Sequence, residues 1–173
     1  MSEAYIIDAI RTPIGKLRGA LSPIRADDLA AMPIKELMKR NDSIDPERIE
    51  DVILGCANQA GEDNRNVARM ASLLAGLPIS IPGETLNRLC ASGMSSAVKA
   101  YHAIKAGEGD LFVTGGVEHM TRGPMVLGKG SRPYSGTNEM HDTTFGWRFV
   151  NPKMDEQFGS EAMGETAENI VEE

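Results

Sequence analysis

The segment Asn87-Arg88-Leu89-Cys90-Ala91-Ser92-Gly93 holds the residues with the clearest chemical potential. A strand pattern ends there, and a helical pattern begins at or just after Cys90. A thiol so placed faces the unpaired backbone N–H groups of the first helical turn and the positive end of the helix dipole. Both favour the thiolate, which is the nucleophilic form. The N–H groups that follow suit an oxyanion. A strand-to-helix turn that projects a nucleophile is a recurring catalytic arrangement. The competing reading is a small buried apolar residue, since free cysteines are commonly buried. Cys56 closes Val52-Ile53-Leu54-Gly55-Cys56 and reads as structural.

Partners for such a nucleophile are scarce. The histidines are His102, His119 and His141. His102 lies twelve residues along the helix that follows Cys90, about 18 Å by helical rise, which is too far for a base. His119 follows a strand end and stays open as a candidate, and His141 falls in an irregular stretch. No His/Cys spacing suits a metal site. Neither a dinucleotide glycine fingerprint nor a phosphate loop of the Walker type is present. Lys129-Gly130-Ser131-Arg132 reads as a solvated basic loop, with phosphate contact as the alternative.

Alternating elements must position the cysteine. Tyr5–Ile10 reads as a strand. Residues 27–40 read as a helix capped by Asp27 or Asp28, with Pro33 in its first turns. Asp45-Pro46-Glu47 starts a short helix. Strands at 52–56, 85–89 and 111–114 alternate with helices at 66–74 and 91–106. On the last helix Met94, Ala97, Val98, Tyr101 and Ile104 form one apolar stripe, while the other faces carry small residues. Such a helix packs on more than one side. The alternation up to residue 117 argues for an α/β layered fold with much of its sheet parallel. From His119 to about residue 161 regular periodicity is absent, and a stretch that long is usually functional.

Composition sets the outer limits. The 173 residues carry 18 basic and 25 acidic side chains, a net charge of −7. A sequence pI near 5.0 argues against a nucleic-acid surface. No apolar run approaches the ~18 residues of a membrane span, and no signal or organelle-targeting segment opens the chain. Two cysteines cannot build a disulfide framework and suit reduced thiols in the cytoplasm. Residues 1–154 are neutral, with 18 acids against 18 bases, and all the net charge lies in 155–173. That stretch reads as an acidic, solvated helix. It ends on Val171-Glu172-Glu173 without a cap or breaker, as a chain cut in mid-helix would.

The motifs together resemble the amino-terminal part of the thiolase family, the acetyl-CoA acyltransferases. The segments that carry this are Arg11-Thr12-Pro13-Ile14-Gly15, Asn87 to Gly93, Gly115-Gly116-Val117-Glu118 with Met120, and Met163-Gly164-Glu165-Thr166-Ala167-Glu168-Asn169. The run from Gly55 to Arg69 resembles the branch that acts on 3-oxoadipyl-CoA, at the end of aromatic-compound breakdown. The resemblance implies a thiolase-like α/β fold with a mixed sheet over residues 1–118, and the beginning of an irregular loop domain over 119–173. It implies Cys90 as the nucleophile that carries the acyl group as a thioester. Asn87 and Glu118 would support the site, Met163 would lie near the acyl pocket, and no metal would be needed. Coenzyme A would be a substrate and no cofactor would be bound. Partners would be acyl-CoA, CoA and further copies of the chain, in a dimer or tetramer.

Two departures stand out. His119 sits where many members carry serine, and Ala162 where some carry histidine. The resemblance also implies a second half, which supplies a Gly-His-Pro histidine and a further cysteine as acid and base. Neither is among these 173 residues. The expectation is therefore a carboxy-terminal half absent from this chain, and a chain inert on its own. Other readings are an acetoacetyl-CoA-forming acetyltransferase, a ketoacyl-synthase-like condensing enzyme, and a non-catalytic oligomerising fragment.

Overall fold

The computed structural model describes residues 3–130, 132–134, 136 and 139–172. Ser131 of the basic loop and Glu173 of the acidic end lie outside them. The chain forms two compact units, one up to Arg122 and one from Gly123.

The first unit is built on a three-stranded parallel sheet. Its strands are β1 (Asp51–Gly55), β2 (Gly83–Leu86) and β3 (Phe112–Gly116), in the order β2-β1-β3. Helix α1 (Ala26–Arg40) precedes the sheet, α2 (Val67–Leu74) connects β1 to β2, and α3 (Ser92–Ala106) connects β2 to β3. The two crossovers step along the sheet in opposite directions. Right-handed connections therefore put α2 and α3 on opposite faces. The period-two alternation of β1 agrees. Val52 and Leu54 join Cys56 in the core cluster with Ala30, Ile34, Val67, Ala68 and Ala71 of α1 and α2. Ile53 points the other way and is 1% exposed.

Several elements differ from the sequence expectation. Tyr5–Ile10 forms no strand, and Tyr5, Ile6 and Ile7 are exposed. An extended segment becomes a strand only when a neighbour takes its backbone groups, and among the described residues none does so. Residues 4–8 instead line a cavity of about 460 Å³ with α3 and β3. Asp8 is tied down by Asn41 and Arg40 at 2.9 Å. The α1 N-cap is Arg25, with no side-chain cap; Asp27 instead accepts two hydrogen bonds from the Arg25 guanidinium. Pro33 lies in the interior of α1.

The sequence left open which side of α3 meets the sheet. Ser92, Ser96 and Ala100 are the residues it buries. The apolar stripe faces outward, with Met94, Val98 and Tyr101 exposed. Small side chains let this helix approach the sheet closely, which large ones would prevent. A Cβ on Gly55 would come within 2.3 Å of the Ser92 carbonyl carbon and 2.5 Å of the Gly93 nitrogen. Ser96 completes the contact. Its hydroxyl donates to Gly115 O at 2.8 Å and accepts from Gly115 N at 3.1 Å.

In the second unit, part of the stretch expected to be irregular is ordered. β4 (Met125–Leu127) and β5 (Met140–Asp142) pair antiparallel. Thr143 secures the hairpin, donating to Pro124 O at 2.8 Å. Phe149 packs edge-on to His141, with ring centroids 4.9 Å apart. α4 (Pro152–Phe158) starts on Asn151, whose side chain accepts from Lys153 N at 3.0 Å. α5 (Met163–Glu172) is the acidic helix. Strands of three residues carry too little alternation to read from sequence.

Candidate active site

All three parallel strands end at one edge of the sheet, since Gly55 is in register with both Leu86 and Gly116. The segments that leave this edge carry Cys56, Cys90 and Glu118. In open α/β sheets, ligands bind outside the carboxyl ends of the strands.

β2 stops at Leu86, earlier than expected, and residues 87–91 form a tight turn before α3. Local hydrogen bonds set its shape. Asn87 Oδ1 accepts from Leu89 N at 2.8 Å. Ser92 Oγ accepts from Arg88 N at 2.8 Å and donates to Leu89 O at 2.6 Å. Leu89 is held in the left-handed region at φ +49°. A leucine there costs on the order of 1–3 kcal/mol, and such conformations cluster at functional sites. Cys90 follows directly and is exposed, which removes the buried-apolar reading. Ala91 is the α3 N-cap and offers no side-chain acceptor. Ala91 N and Ser92 N, the amides next to Cys90, donate within the turn to Arg88 O at 3.1 Å and Leu89 O at 3.0 Å, and the thiol directly precedes the positive end of α3.

Asn87 and Glu118 meet on one peptide. Asn87 Nδ2 donates to Ala57 O at 3.1 Å. Glu118 accepts from Ala57 N at 2.8 Å and from Asn58 N at 3.1 Å. The loop after β1 is thereby clamped between the turn after β2 and the end of β3. The sequence pointed to the two clamping residues and carried Gly55 and Ser92 within its motifs, but not the Ala57 peptide that the clamp shares or the contact made by Ser96. Backbone groups carry no signature of their own. The glycine and serines had one, as small residues where a helix starts on a strand end.

Cys56 is the opposite of Cys90. It is 1% exposed, and its thiol donates to Asp63 Oδ2 at 3.6 Å. Burial pushes this thiol up to about 12, with the carboxylates of Glu118 and Asp63 adding to the rise. Cys56, Asp63 and Glu118 place donor atoms within 4.8 Å of one another, a grouping that the sequence spacing did not suggest. Protein hydrogens already occupy these donors: the thiol proton and Gly61 N on Asp63, two amides on Glu118.

The remaining candidates are placed as follows. His119 is nearly buried, and its Nε2 lies 3.2 Å from Leu21 O. His102 lies on α3 against Tyr101. His141 belongs to the second unit, as does Met163, the exposed first residue of α5.

Residues 4–173 match the thiolase N-terminal domain. The chain belongs to the thiolase family. It is 63% identical over 172 residues to the 3-oxoadipyl-CoA/3-oxo-5,6-dehydrosuberyl-CoA thiolase of Escherichia coli K12, covering 99% of this chain and 43% of that protein. It is 57% identical over 171 residues to the beta-ketoadipyl-CoA thiolase of Pseudomonas knackmussii, again covering 99% of this chain and 43% of the relative. The crystal structure of the Bacillus anthracis acetyl-CoA acetyltransferase has the same fold. It superposes with a TM-score of 0.77 at 36% identity, covering 94% of this chain and 40% of that one. The chain thus spans less than half the length of the thiolases it matches.

Proposed function

We propose that Cys90 is the nucleophile of a CoA-dependent thiolase acting on 3-oxoadipyl-CoA. The observation that carries this reading is the exposed thiol on a strained turn, directly ahead of the α3 N-terminus. The high identity to 3-oxoadipyl-CoA thiolases supports the substrate.

The reaction follows from the chemistry of a thiolate. Cys90 Sγ attacks the C3 keto carbon, and the developing oxyanion is met by hydrogen-bond donors. The C2–C3 bond then breaks. Its electron pair leaves as the acetyl-CoA enolate, which takes up a proton to give acetyl-CoA. The succinyl group stays on Cys90 as a thioester. A second CoA, losing its thiol proton, attacks that carbonyl and releases succinyl-CoA and the Cys90 thiolate. Asn87 and Glu118 act by holding the loop and turn in place. Met163 is assigned to the acyl pocket on its motif alone. CoA is a substrate throughout, and no step calls for a metal or bound cofactor. A thiolate nucleophile suits a reducing compartment such as the cytoplasm.

The Gly-His-Pro histidine and the further cysteine that the resemblance implies as acid and base are not among these 173 residues. We therefore expect the isolated chain to be inert in thiolysis. The outward apolar side of α3 supports assembly with further protein, including copies of the chain. Among the described residues no helix is long and apolar enough to cross a membrane.

The test is a chimera in which this chain replaces the matching part of the Escherichia coli relative. It should cleave 3-oxoadipyl-CoA to succinyl-CoA and acetyl-CoA, carry succinate on Cys90 in a quenched reaction, and lose activity in Cys90→Ser. Activity surviving Cys90→Ser would overturn the nucleophile. A preference for acetoacetyl-CoA would overturn the substrate.

A further inference from the structure

The loop from Cys56 to Asn66 has a second anchor, far along the chain from the first. Glu62 lies at its outer bend. Arg122 Nε donates to Glu62 Oε2 at 2.6 Å and Nη2 donates to Oε1 at 2.5 Å, a two-point pair. Arg122 Nη1 donates to Ser22 O at 3.1 Å. Glu62 also accepts from Ala26 N and Arg25 Nη1, each at 3.3 Å. The pair therefore joins the loop after β1, the segment after β3 and the start of α1. Arg122's hydrogen bonds hold the Glu62 carboxyl near 2, so the pair stays ionised through the neutral range.

What this anchors matters more than the pair itself. Next to Glu62, Asp63 accepts from Gly61 N at 2.9 Å and from the Cys56 thiol, closing the loop on itself. The inner end of the same loop is the Ala57 peptide, held by Glu118 and by Asn87. Asn87 in turn shapes the Leu89 backbone, one residue before Cys90. A continuous series of hydrogen bonds and one short loop thus runs from Arg122 to the cysteine turn.

We propose that the Glu62–Arg122 pair positions Cys90, acting through the loop from Cys56 to Asn66 and the Ala57 peptide shared by Asn87 and Glu118. Neither residue touches the reacting thiol, so both are positioning residues. This rests on Cys90 being the nucleophile. An anchored loop keeps Ala57 O available to Asn87, and Asn87 keeps Leu89 in its left-handed conformation. Cys90 is then presented at the α3 N-terminus rather than sampling a frayed turn.

The experiment uses this chain. Peptide-resolved iodoacetamide labelling gives the rate at Cys90 and Cys56 separately, and amide hydrogen exchange is followed in parallel. Glu62→Gln and Arg122→Ala should each slow Cys90 labelling by about threefold or more and accelerate exchange at Ala57, Asn58 and Leu89. Protection of Val52–Gly55 in β1 should be unchanged. Arg122→Lys should recover most of the Cys90 rate. A Cys90 rate within experimental error of wild type in a folded Glu62→Gln protein overturns the proposal. So does loss of β1 protection in parallel with any slowing, which would make the pair merely structural. The reading of Cys90 as nucleophile fails separately, if wild-type Cys90 labels no faster than glutathione.

Discussion

The ends of β1 and β2 are neighbours in one sheet, and each delivers a cysteine to the same edge. They treat the thiol in opposite ways. After β1 the chain turns inward, and Cys56 joins the core with its proton on Asp63. After β2 the chain is forced through a left-handed leucine, and Cys90 emerges into solvent ahead of a helix. Residue type alone therefore does not make a nucleophile. Exposure and the charge of the neighbourhood decide it: two carboxylates beside Cys56, the positive end of α3 directly after Cys90.

Labelling should expose the contrast most strongly. With Cys56 buried and pushed up to about 12, native chain at pH 8 should react at Cys90 at least about a hundredfold faster than at Cys56. Equal rates would dissolve the distinction.

Next in size is the joint that sets the Cys90 turn on the sheet. Gly55→Ala drives a methyl group into the Ser92–Gly93 backbone. The expected loss is about 2–3 kcal/mol in urea unfolding. Ser96→Ala leaves Gly115 N without its partner, for an expected loss of about 1–2 kcal/mol. Either value near zero would mean that α3 does not need this close contact.

A smaller effect follows from Glu62. Its folded-state carboxyl lies near 2, below its unfolded value. The stability it contributes is present in full above the unfolded value and is lost as pH falls through about 2. Wild type should therefore lose more stability between pH 5 and pH 2 than Glu62→Gln does, measured by thermal melts. The smallest change is Leu89→Gly. Relieving the left-handed strain should leave stability within about 1 kcal/mol of wild type, while a looser turn slows Cys90.

Much of the first unit was legible because its signals are local. Asn87, Cys90, Ser92 and Gly93 mark a strand–turn–helix junction, and Glu118 lies at the end of the next strand. Tyr5–Ile10 forms no strand because a short apolar run shows that a segment is able to pair, not that a partner is there. The α3 stripe shows which residues share a face of the helix, not which face meets the sheet. On this helix glycine and serine face the sheet, since the crossing is too close for anything larger. The Ala57 clamp was invisible, being made of backbone amides 30 and 61 residues from the side chains that bind them.

The central claim is that the fold, and not the thiol alone, makes Cys90 reactive. The direct measurement is the iodoacetamide rate at Cys90 near neutral pH, in the native chain and in the same chain unfolded by urea. The account predicts a native rate at least about threefold higher, from the positive end of α3. A native rate equal to or below the unfolded rate would contradict it.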